Sequence, residues 1–208
     1  MSNLESIKRR PGLARAHEIG YDMMRVIAGK ARRILLKTPK NQRTRPTSDR
    51  VKETLFNMLQ PELYNCTFLD LFSGSGGIGI EALSRGANKC VFVENDREAV
   101  NCIRENLVQT KMTEEGMIIT RDVITALRLL DGKETFDCVF MDPPYEQGIE
   151  RDVLKYLMKS SLVSGTTLIV VEASNNTDFD YLENIGCVLV KQKQYKTNQH
   201  LFIRPRKD

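Results

Sequence analysis

The chain lacks the features that mark membrane and secreted proteins. No apolar run approaches the roughly 20 residues that a transmembrane helix needs, and residues 1–5 do not form the basic-then-apolar layout of a signal peptide. The five cysteines are scattered, with no C-x-x-C pair and no nearby histidine partners. We therefore expect buried, reduced thiols in a cytoplasmic protein, without membrane association and without a metal site.

Two further absences narrow the class. No G-x-x-x-x-G-K-[ST] segment is present, which argues against a P-loop NTPase, and there is no internal repeat or low-complexity segment. A length of 208 residues fits one ordinary domain with a small appendage.

The net charge of +4 is unevenly distributed along the chain. Residues 1–60 contain 14 Lys and Arg against 5 Asp and Glu, a net charge of +9, while the remaining residues contain 17 against 22, a net charge of −5. A basic front end on a slightly acidic body is typical of a protein that binds a polyanion, although a solvated surface with no ligand would show the same charge.

The front end divides into three parts. Residues 1–23 are polar without sustained periodicity, and we expect an extension upstream of a native start at Met24, or alternatively a basic arm. Residues 24–46 predict a basic β-hairpin, with two short strands joined at Gly29-Lys30, followed by a basic loop. Residues 47–208 predict the main domain. It opens with a helix capped by Thr47 or Ser48, whose apolar face is separate from the polar positions Arg50, Lys52, Glu53 and Asn57.

From residue 67 onward, strand patterns alternate with helical patterns. The strands are predicted at 67–72, 90–94, 117–120, 136–141, 166–172, 187–194 and 200–204, and the helices at 77–86, 96–110, 122–131 and 149–160. This alternation predicts an α/β fold with right-handed βαβ units and a parallel sheet. The last two strands are too close for a parallel crossover, so we expect an antiparallel hairpin at one sheet edge.

A glycine-rich turn follows the first strand, running from Leu69 to Gly79 into a helix. Glycines allow the backbone to turn tightly and to approach a ligand. The acidic Asp70 precedes the turn, and Glu94 follows the first glycine by 20 residues, where it could accept both ribose hydroxyls. The helix opens without a basic phosphate grip, so the acidic lining suits an adenosyl ligand with no phosphate and a cationic amino acid end better than a pyrophosphate.

The third strand leads to a second candidate contact with this cofactor. Asp122 could accept from the adenine amino group while the Val123 N–H meets a ring nitrogen, although Asp122 would also serve as a plain helix N-cap. The predicted cofactor-binding residues are Asp70, Phe72, Ser73, Gly74, Ser75, Gly76, Glu94, Asn95, Asp122 and Val123.

The second motif is Asp142-Pro143-Pro144-Tyr145, directly after a predicted buried strand. Proline has no N–H and fixes its own φ, and it holds the preceding residue out of the helical region. The Asp142 and Pro143 carbonyls, with the Asp142 carboxylate, would therefore form a cluster of acceptors suited to an amino group. Tyr145 can stack on the ring that carries this amine. The four residues are our catalytic candidates, and they indicate methyl transfer to an exocyclic nitrogen.

Together these segments resemble a known family. The run Leu69 to Gly76, Glu94 and the Asp142 motif are similar to S-adenosylmethionine-dependent class I amino-methyltransferases. With 24–29, 45–47 and 53–57, the chain resembles the bacterial 16S ribosomal RNA guanine-N2 methyltransferases, the small-subunit RNA methyltransferase D family, from Met24 to about Arg204. Residues 1–23 have no counterpart in that family, and Tyr195-Lys196 stands where relatives often carry Tyr-Gly.

The resemblance implies a seven-stranded sheet of order 3-2-1-4-5-7-6 with strand 7 antiparallel. It also implies guanine N2 as the target, in 16S rRNA of the small ribosomal subunit or its assembly intermediate, with no obligate protein partner evident. The candidates for phosphate contacts are Arg25, Lys30, Arg32, Arg33, Arg43 and Arg45. Tyr64, Phe68 and Phe92 are predicted to belong to the core, and His200 to an edge strand without a function.

Other functions stay open at this point. The acidic-Pro-Pro-aromatic pocket also handles adenine N6 and cytosine N4 in DNA, but the body has no sizeable insertion for target recognition. Protein glutamine methyltransferases typically place Asn where this chain has Asp142. A non-catalytic RNA-binding assembly factor and a nicotinamide-dependent dehydrogenase are the remaining alternatives.

Overall fold

The computed structural model describes residues 24–39, 49–145 and 147–206. The expectations for residues 1–23, for Arg43 and Arg45, and for the capping role of Thr47 or Ser48 lie outside these residues.

A sheet of seven strands forms the centre of the described part of the chain. The strands are β1 (Thr67–Leu71), β2 (Lys89–Val93), β3 (Gly116–Ile119), β4 (Cys138–Met141), β5 (Leu168–Ser174), β6 (Cys187–Gln194) and β7 (Asn198–Pro205). Their order is β3-β2-β1-β4-β5-β7-β6. Strands β1 to β5 pair in parallel, and β7 is antiparallel to both β5 and β6. The predicted strand order and the antiparallel edge hairpin are thus confirmed.

Helices cover both faces of the sheet. They are α1 (Asp49–Leu63), α2 (Gly77–Ser84), α3 (Arg97–Thr110), α4 (Val123–Leu130) and α5 (Ile149–Lys159), with a short 3-10 turn at Glu183–Ile185. Because successive strand side chains alternate between faces, each strand feeds two separate hydrophobic clusters. One cluster contains Phe68, Phe92 and Phe140, and we call the sheet face that carries them the front face. The other contains the alternate residues of the same strands and packs against α4 and α5.

Residues 24–39 double back on themselves, but the predicted two-residue hairpin turn is wrong. A single antiparallel bridge joins Arg25 to Leu35, and the turn between them is wide, from residue 28 to residue 33. The antiparallel pairing does not continue toward the turn, because a side chain of α2 accepts the backbone N–H groups that follow. Ile27 and Ala28 donate to the Glu81 carboxylate at 2.7 and 3.0 Å.

The turn itself is seated against the carboxyl end of α2. Lys30 donates its N–H to the Ser84 carbonyl at 2.8 Å, and Ala31 donates to the Ser84 hydroxyl at 3.0 Å. Gly29 lies so close that a Cβ there would be 1.8 Å from the Ser84 carbonyl oxygen, and its φ of +81° is in the left-handed region. The segment therefore packs into the same core as the sheet.

Three single-residue predictions need correction. Tyr64 is 89% exposed rather than buried, because it follows the last residue of α1 where the chain turns away through Asn65 at φ +58°. Lys52 lies on the buried side of α1, where its ammonium group pairs with the equally buried Glu81 at 3.5 Å. His200 lies in β7, between β5 and β6, so it belongs to an internal strand.

Other predictions about the core hold. Phe68 and Phe92 are fully buried, and all five cysteines are free and buried, as expected of reduced structural thiols. Burial raises the pKa of the Cys66 thiol to about 12 and that of Cys90 well above its usual value. No helix in the described ranges is both long and apolar enough to cross a membrane.

Candidate active site

The candidate residues lie together at the end of the sheet that is formed by the carboxyl ends of the parallel strands. Strand order reverses between β1 and β4, whose neighbours β2 and β5 lie on opposite sides. Ligands of open α/β sheets bind in the crevice at such a reversal. The glycine turn follows β1, Glu94 follows β2, Asp122 comes shortly after β3, and Asp142 follows β4. The fold thus brings the predicted cofactor and catalytic segments together.

The glycine turn has an unusual backbone. Phe72, Gly74 and Gly76 all have positive φ, at +60°, +53° and +80°. A left-handed phenylalanine is uncommon and costs conformational energy, a feature that clusters at ligand sites. Ser73 fixes the turn, because its hydroxyl donates to the Asp70 carbonyl at 2.6 Å and lies 3.2 Å from the Val93 carbonyl.

Asp70 connects the strand to the helix beyond the turn. Its carboxylate is buried and accepts the N–H of Gly79, in the first turns of α2, at 2.9 Å. Burial raises the pKa of Asp70 to about 7, the Gly79 N–H opposes that rise, and the nearby Glu94 adds to it. Gly79 permits this contact because a Cβ there would be 2.3 Å from a ring carbon of Phe92. A contact between Asp70 and a ligand stays a prediction.

Glu94 holds the turn from the neighbouring strand. One carboxylate oxygen accepts the N–H of Gly74 at 2.8 Å, and the other accepts those of Asn95 at 2.8 Å and Asp96 at 2.9 Å. The side chain is half-buried, and Oε2, which accepts only one of these bonds, keeps one acceptor site. The predicted bonds to ribose hydroxyls are untested.

Asp122 is the N-cap of α4. Its carboxylate accepts the Thr125 N–H at 2.9 Å, and this hydrogen bond lowers the pKa of Asp122 below its usual value. The simpler of the two roles predicted from the sequence is therefore confirmed, while the contact of Asp122 and Val123 with adenine stays a prediction.

The glycine turn is also joined to residues 24–39. The Asn106 amide donates to the Ser75 carbonyl at 3.0 Å and to the Lys37 carbonyl at 2.9 Å, and its oxygen accepts the Lys37 N–H at 2.7 Å. The buried Ser75 hydroxyl lies 3.4 Å from the Met24 sulfur. Asn106 has no exposed surface, so these bonds are shielded from water.

The second motif presents a carboxylate and an aromatic ring beside a covered proline. Asp142 is half-buried, Pro143 is buried, and Pro144 and Tyr145 are exposed. The pKa of Asp142 is raised well above its ordinary value, first by burial, then by the negative charges of Glu172 and Asp70. Burial, with the charges of Asp142 and Glu172, likewise raises the pKa of the Tyr145 hydroxyl.

Sequence reasoning missed a buried polar cluster beside this motif. Glu172, on β5 next to the end of β4, is only 4% exposed. Its carboxylate lies 2.9 Å from the His200 ring nitrogen, accepts from the Asn198 amide at 2.5 Å, and is 3.5 Å from the Tyr145 hydroxyl. Tyr195 contacts the other ring nitrogen of His200 at 3.4 Å. A charged residue within the apolar run at 168–173 was the available signal, since such residues are rarely buried without a partner.

The predicted RNA contacts within the described segment are all exposed, but two are already paired. Arg25 forms an ion pair with Asp49, and Lys30 forms one with Glu115, each at 2.7 Å. Exposed ion pairs of this kind contribute little to stability, so either cation could pair with a phosphate instead. Arg32 and Arg33 are exposed in the wide turn, and Arg33 has a φ of +72°.

The carboxylate acceptors at the crevice fit a cationic adenosyl cofactor. Carboxylates line the strand ends at Asp70, Glu94 and Asp142, and no Lys or Arg occurs between residues 67 and 79. Such a lining accepts hydroxyl and ammonium groups and repels a phosphate. Within residues 24–39, 49–145 and 147–206, no group of three or more His, Cys, Asp or Glu is arranged to hold a metal ion.

Comparison with known proteins supports this interpretation of the fold. The family model described as conserved hypothetical protein 95 matches residues 24–204. The chain is 36% identical over 171 residues to ribosomal RNA small subunit methyltransferase D of Haemophilus influenzae, covering 82% of this chain and 88% of that protein. It is 35% identical to the Escherichia coli protein of the same name, covering 74% and 76%.

Solved structures give the same result. A candidate methyltransferase from Escherichia coli has a TM-score of 0.77 at 28% identity, covering 89% of this chain and 99% of that one. A Thermus thermophilus hypothetical protein has a TM-score of 0.74 at 30% identity, covering 86% and 98%. The sheet order and these neighbours place the fold among the class I methyltransferases, and the chain belongs to the small-subunit ribosomal RNA methyltransferase D-like family.

Proposed function

We propose that this protein transfers a methyl group from S-adenosyl-L-methionine to the exocyclic N2 of a guanine in 16S rRNA of the small ribosomal subunit. The observation that carries the proposal is the position of Asp142 and Pro143 at the carboxyl end of β4, beside the glycine turn of β1. An amine held by Asp142 and Pro143 would lie next to a methyl donor held at the glycine turn. The names of the relatives support ribosomal RNA as the substrate.

The cofactor would occupy the crevice between the glycine turn and the ends of β2 and β3. Glu94 is oriented by three backbone N–H groups and retains one acceptor site, on Oε2, for a ribose hydroxyl. Asp122, anchored as a helix cap, would accept from the adenine amine. When bound, S-adenosyl-L-methionine supplies an electrophilic methyl group on a positively charged sulfur.

The residues of the second motif would prepare the amine for attack. The lone pair of guanine N2 is delocalised into the ring, so the free amine is a poor nucleophile. Asp142 and the Pro143 carbonyl would accept its two hydrogens, favour a pyramidal nitrogen and stabilise the positive charge that develops there. The raised pKa of Asp142 also suits it to take up the proton that the methylated nitrogen releases. Tyr145, exposed at the rim, would hold the base by stacking after it is splayed from the RNA.

The experiment that tests the proposal uses labelled S-adenosylmethionine with small ribosomal subunits, naked 16S rRNA or DNA, followed by mapping of any labelled base. We expect label on N2 of a guanine in 16S rRNA. Label in DNA alone, or on a different nitrogen, would contradict the substrate assignment. No label on any substrate, with cofactor binding intact, would favour a non-catalytic assembly factor.

A matched pair of variants tests the role of Asp142. We expect Asp142→Ala to bind S-adenosylmethionine normally in equilibrium dialysis, but to lose methyl transfer by on the order of 100-fold or more, the usual cost of removing a group that stabilises developing charge. Asp152→Ala removes an exposed carboxylate of α5 that is not among the predicted site residues, and it should retain both properties. Full activity of Asp142→Ala would refute the mechanism.

A further inference from the structure

The residues after position 60 have a net negative charge, but the last part of this stretch is basic. Residues 61–183 contain 11 Lys and Arg against 21 Asp and Glu, a net charge of −10. Residues 184–206 contain five basic residues and no acidic residue. This stretch forms the edge hairpin of β6 and β7. The chain is thus basic at both ends, and the acidic middle carries the crevice.

Three lysines of the hairpin are exposed and unpaired. Lys191 and Lys193 lie on β6, and Lys196 lies in the turn that leads to β7. None of the three forms an ion pair with another described residue, whereas Arg204 on β7 pairs with Glu62 at 2.7 Å. The lysines are therefore available to an external anion without breaking an internal contact.

The register places Lys191 and Lys193 on the front face of the sheet, the face of the catalytic motif, and Lys196 lies in the turn beyond them. Lys193 pairs with His200, and His200 pairs with Glu172. Glu172 stands beside Asp142, because Met141 pairs with Val171 one residue earlier. Residues directly opposite each other in paired strands share a face. Asp142, Glu172, His200 and Lys193 therefore form one row across four strands. At about 4.8 Å per strand, Lys193 is roughly 14 Å from Asp142.

The neighbouring positions support a one-sided surface. Lys191 pairs with Phe202, which belongs to the front-face cluster. Gln192 and Gln194, between the lysines, line a cavity on the opposite face with Gln199 and Leu201. Lysines that only protect an edge strand from pairing would serve equally on either face. Here both lysines of β6 lie on the face that carries the catalytic motif.

We propose that Lys191, Lys193 and Lys196 form a second RNA-binding surface, which contacts the phosphates of the strand that flanks the target base. This inference rests on the proposed function and specifies how its substrate is held. Residues 24–39 pack on α2, and their two ends, at Met24 and Lys37, are joined to the glycine turn. The hairpin lies beyond β5, so the crevice lies between the hairpin and the ends of this basic segment. Single-stranded nucleic acid is bound in this way, by basic side chains that follow the backbone and by a ring that stacks on the base.

The test compares two triple variants with equal loss of charge. The first carries Lys191→Gln, Lys193→Gln and Lys196→Gln. The matched control carries Lys111→Gln, Lys133→Gln and Lys159→Gln. These three exposed lysines lie at or beyond the carboxyl ends of α3, α4 and α5, near the amino ends of the parallel strands and away from the crevice. Binding to naked 16S rRNA is measured by fluorescence anisotropy from 50 to 200 mM salt, with S-adenosylmethionine affinity and the thermal midpoint as checks of folding.

We expect the hairpin variant to bind RNA with a shallower salt dependence. Each phosphate contact with a single strand contributes about 0.7 to the slope of log K against log salt, so three contacts contribute about 2. Over this salt range, the wild type should then lose roughly 20-fold more affinity than the hairpin variant. The control variant should keep the wild-type slope. Equal slopes for the two triple variants would overturn the proposal, as would self-association of the hairpin variant with an unchanged slope.

The outcomes separate this inference from the proposed function. If the wild type methylates 16S rRNA but the hairpin variant keeps the wild-type slope, only the second surface is refuted. If the hairpin variant shows a shallower slope of log K against log salt but the wild type labels no ribosomal RNA, the second RNA-binding surface is supported and the proposed reaction is refuted. A wild type that binds RNA without salt dependence refutes both.

Discussion

Glu81 attaches the basic residues 24–39 to the body of the protein, and its replacement by glutamine tests that attachment. The carboxylate is fully buried in α2. It accepts the N–H groups of Ile27 and Ala28, accepts Arg85 Nε at 2.7 Å and lies 3.5 Å from Lys52 Nζ. One buried negative charge thus offsets two cationic side chains and holds two backbone groups of the basic segment.

The cost of the change follows from the groups that it leaves behind. Glutamine keeps one acceptor oxygen and turns the other into a donor, so at least one of the bound N–H groups loses its partner. Lys52, which is 2% exposed, would also lose its counter-charge, and burial already lowers its pKa. Breaking a buried pair by removing one partner costs about 3–5 kcal/mol. We expect Glu81→Gln to lower the free energy of unfolding by about that amount.

A double-mutant cycle in urea identifies the source of the loss. Glu81→Gln combined with Lys52→Met removes both buried charges, so it should lose clearly less stability than the sum of the single changes. Glu105→Gln, whose partner Lys37 is exposed, should stay close to the wild type. Hydrogen exchange at the Ile27 and Ala28 amides should accelerate in Glu81→Gln. A loss below about 1 kcal/mol, or strict additivity in the cycle, would refute the reasoning.

Three further predictions concern the crevice. Gly79→Ala places a Cβ 2.3 Å from a Phe92 ring carbon, so we expect a loss of about 1–3 kcal/mol in thermal melts, and an unchanged midpoint would contradict the packing. Because the folded pKa of Asp70 is about 7 against an ordinary 3.8, the folded state binds the extra proton, and its stabilising effect is lost as pH rises from about 4 to 7. The free energy of unfolding of the wild type should therefore fall by at most about 4 kcal/mol over this pH range, and that of Asp70→Asn should not. Parallel curves of unfolding free energy against pH for the two proteins, measured in urea, would contradict the prediction. Tyr145→Phe keeps the stacking ring and should retain RNA affinity, whereas Tyr145→Ala should weaken it by about 1–3 kcal/mol; equal affinities in anisotropy would argue against stacking.

The sheet could be predicted because its strands carry strong local signals. Runs such as 90–93 and 138–141 are apolar, short and bounded by polar or turn residues, which is typical of strands buried on both faces. The short connection at 195–197 excludes a parallel crossover, so the antiparallel edge hairpin also follows from length alone. In both cases the information lies within a few neighbouring residues.

The failures share a different origin, since each depends on contacts between distant parts of the chain. The hairpin turn at Gly29-Lys30 is replaced by a wide turn because Glu81 and Ser84, more than 50 residues away, take its N–H groups. Lys52 is predicted off the apolar face of α1, because nothing near it in sequence offers a buried counter-charge. Periodicity reports which side of an element is apolar, and it does not report which buried charge will find a partner.

The site shows the same division between local and distant information. Glycine spacing and the two prolines encode backbone shape, so the positions of the turn and of Asp142 followed from the sequence. The carboxylates that line the crevice serve first as structural acceptors, with Asp70 holding Gly79 and Glu94 holding Gly74, which no spacing rule reveals. Their ligand roles must therefore coexist with these bonds.

The two basic surfaces and the crevice are parts of one connected scaffold. Asn106 bonds both the Ser75 carbonyl of the glycine turn and the Lys37 backbone of the basic segment, so one buried side chain links that segment to the turn. On the other side, Glu172 bonds His200, which lies in the same row as Lys193. Because Lys37 and the hairpin are both bonded to elements that border the crevice, the scaffold would set the path of a bound RNA strand before any base enters the pocket. The catalytic motif would then have only to recognise an amine, and the choice of nucleotide would fall to the basic surfaces.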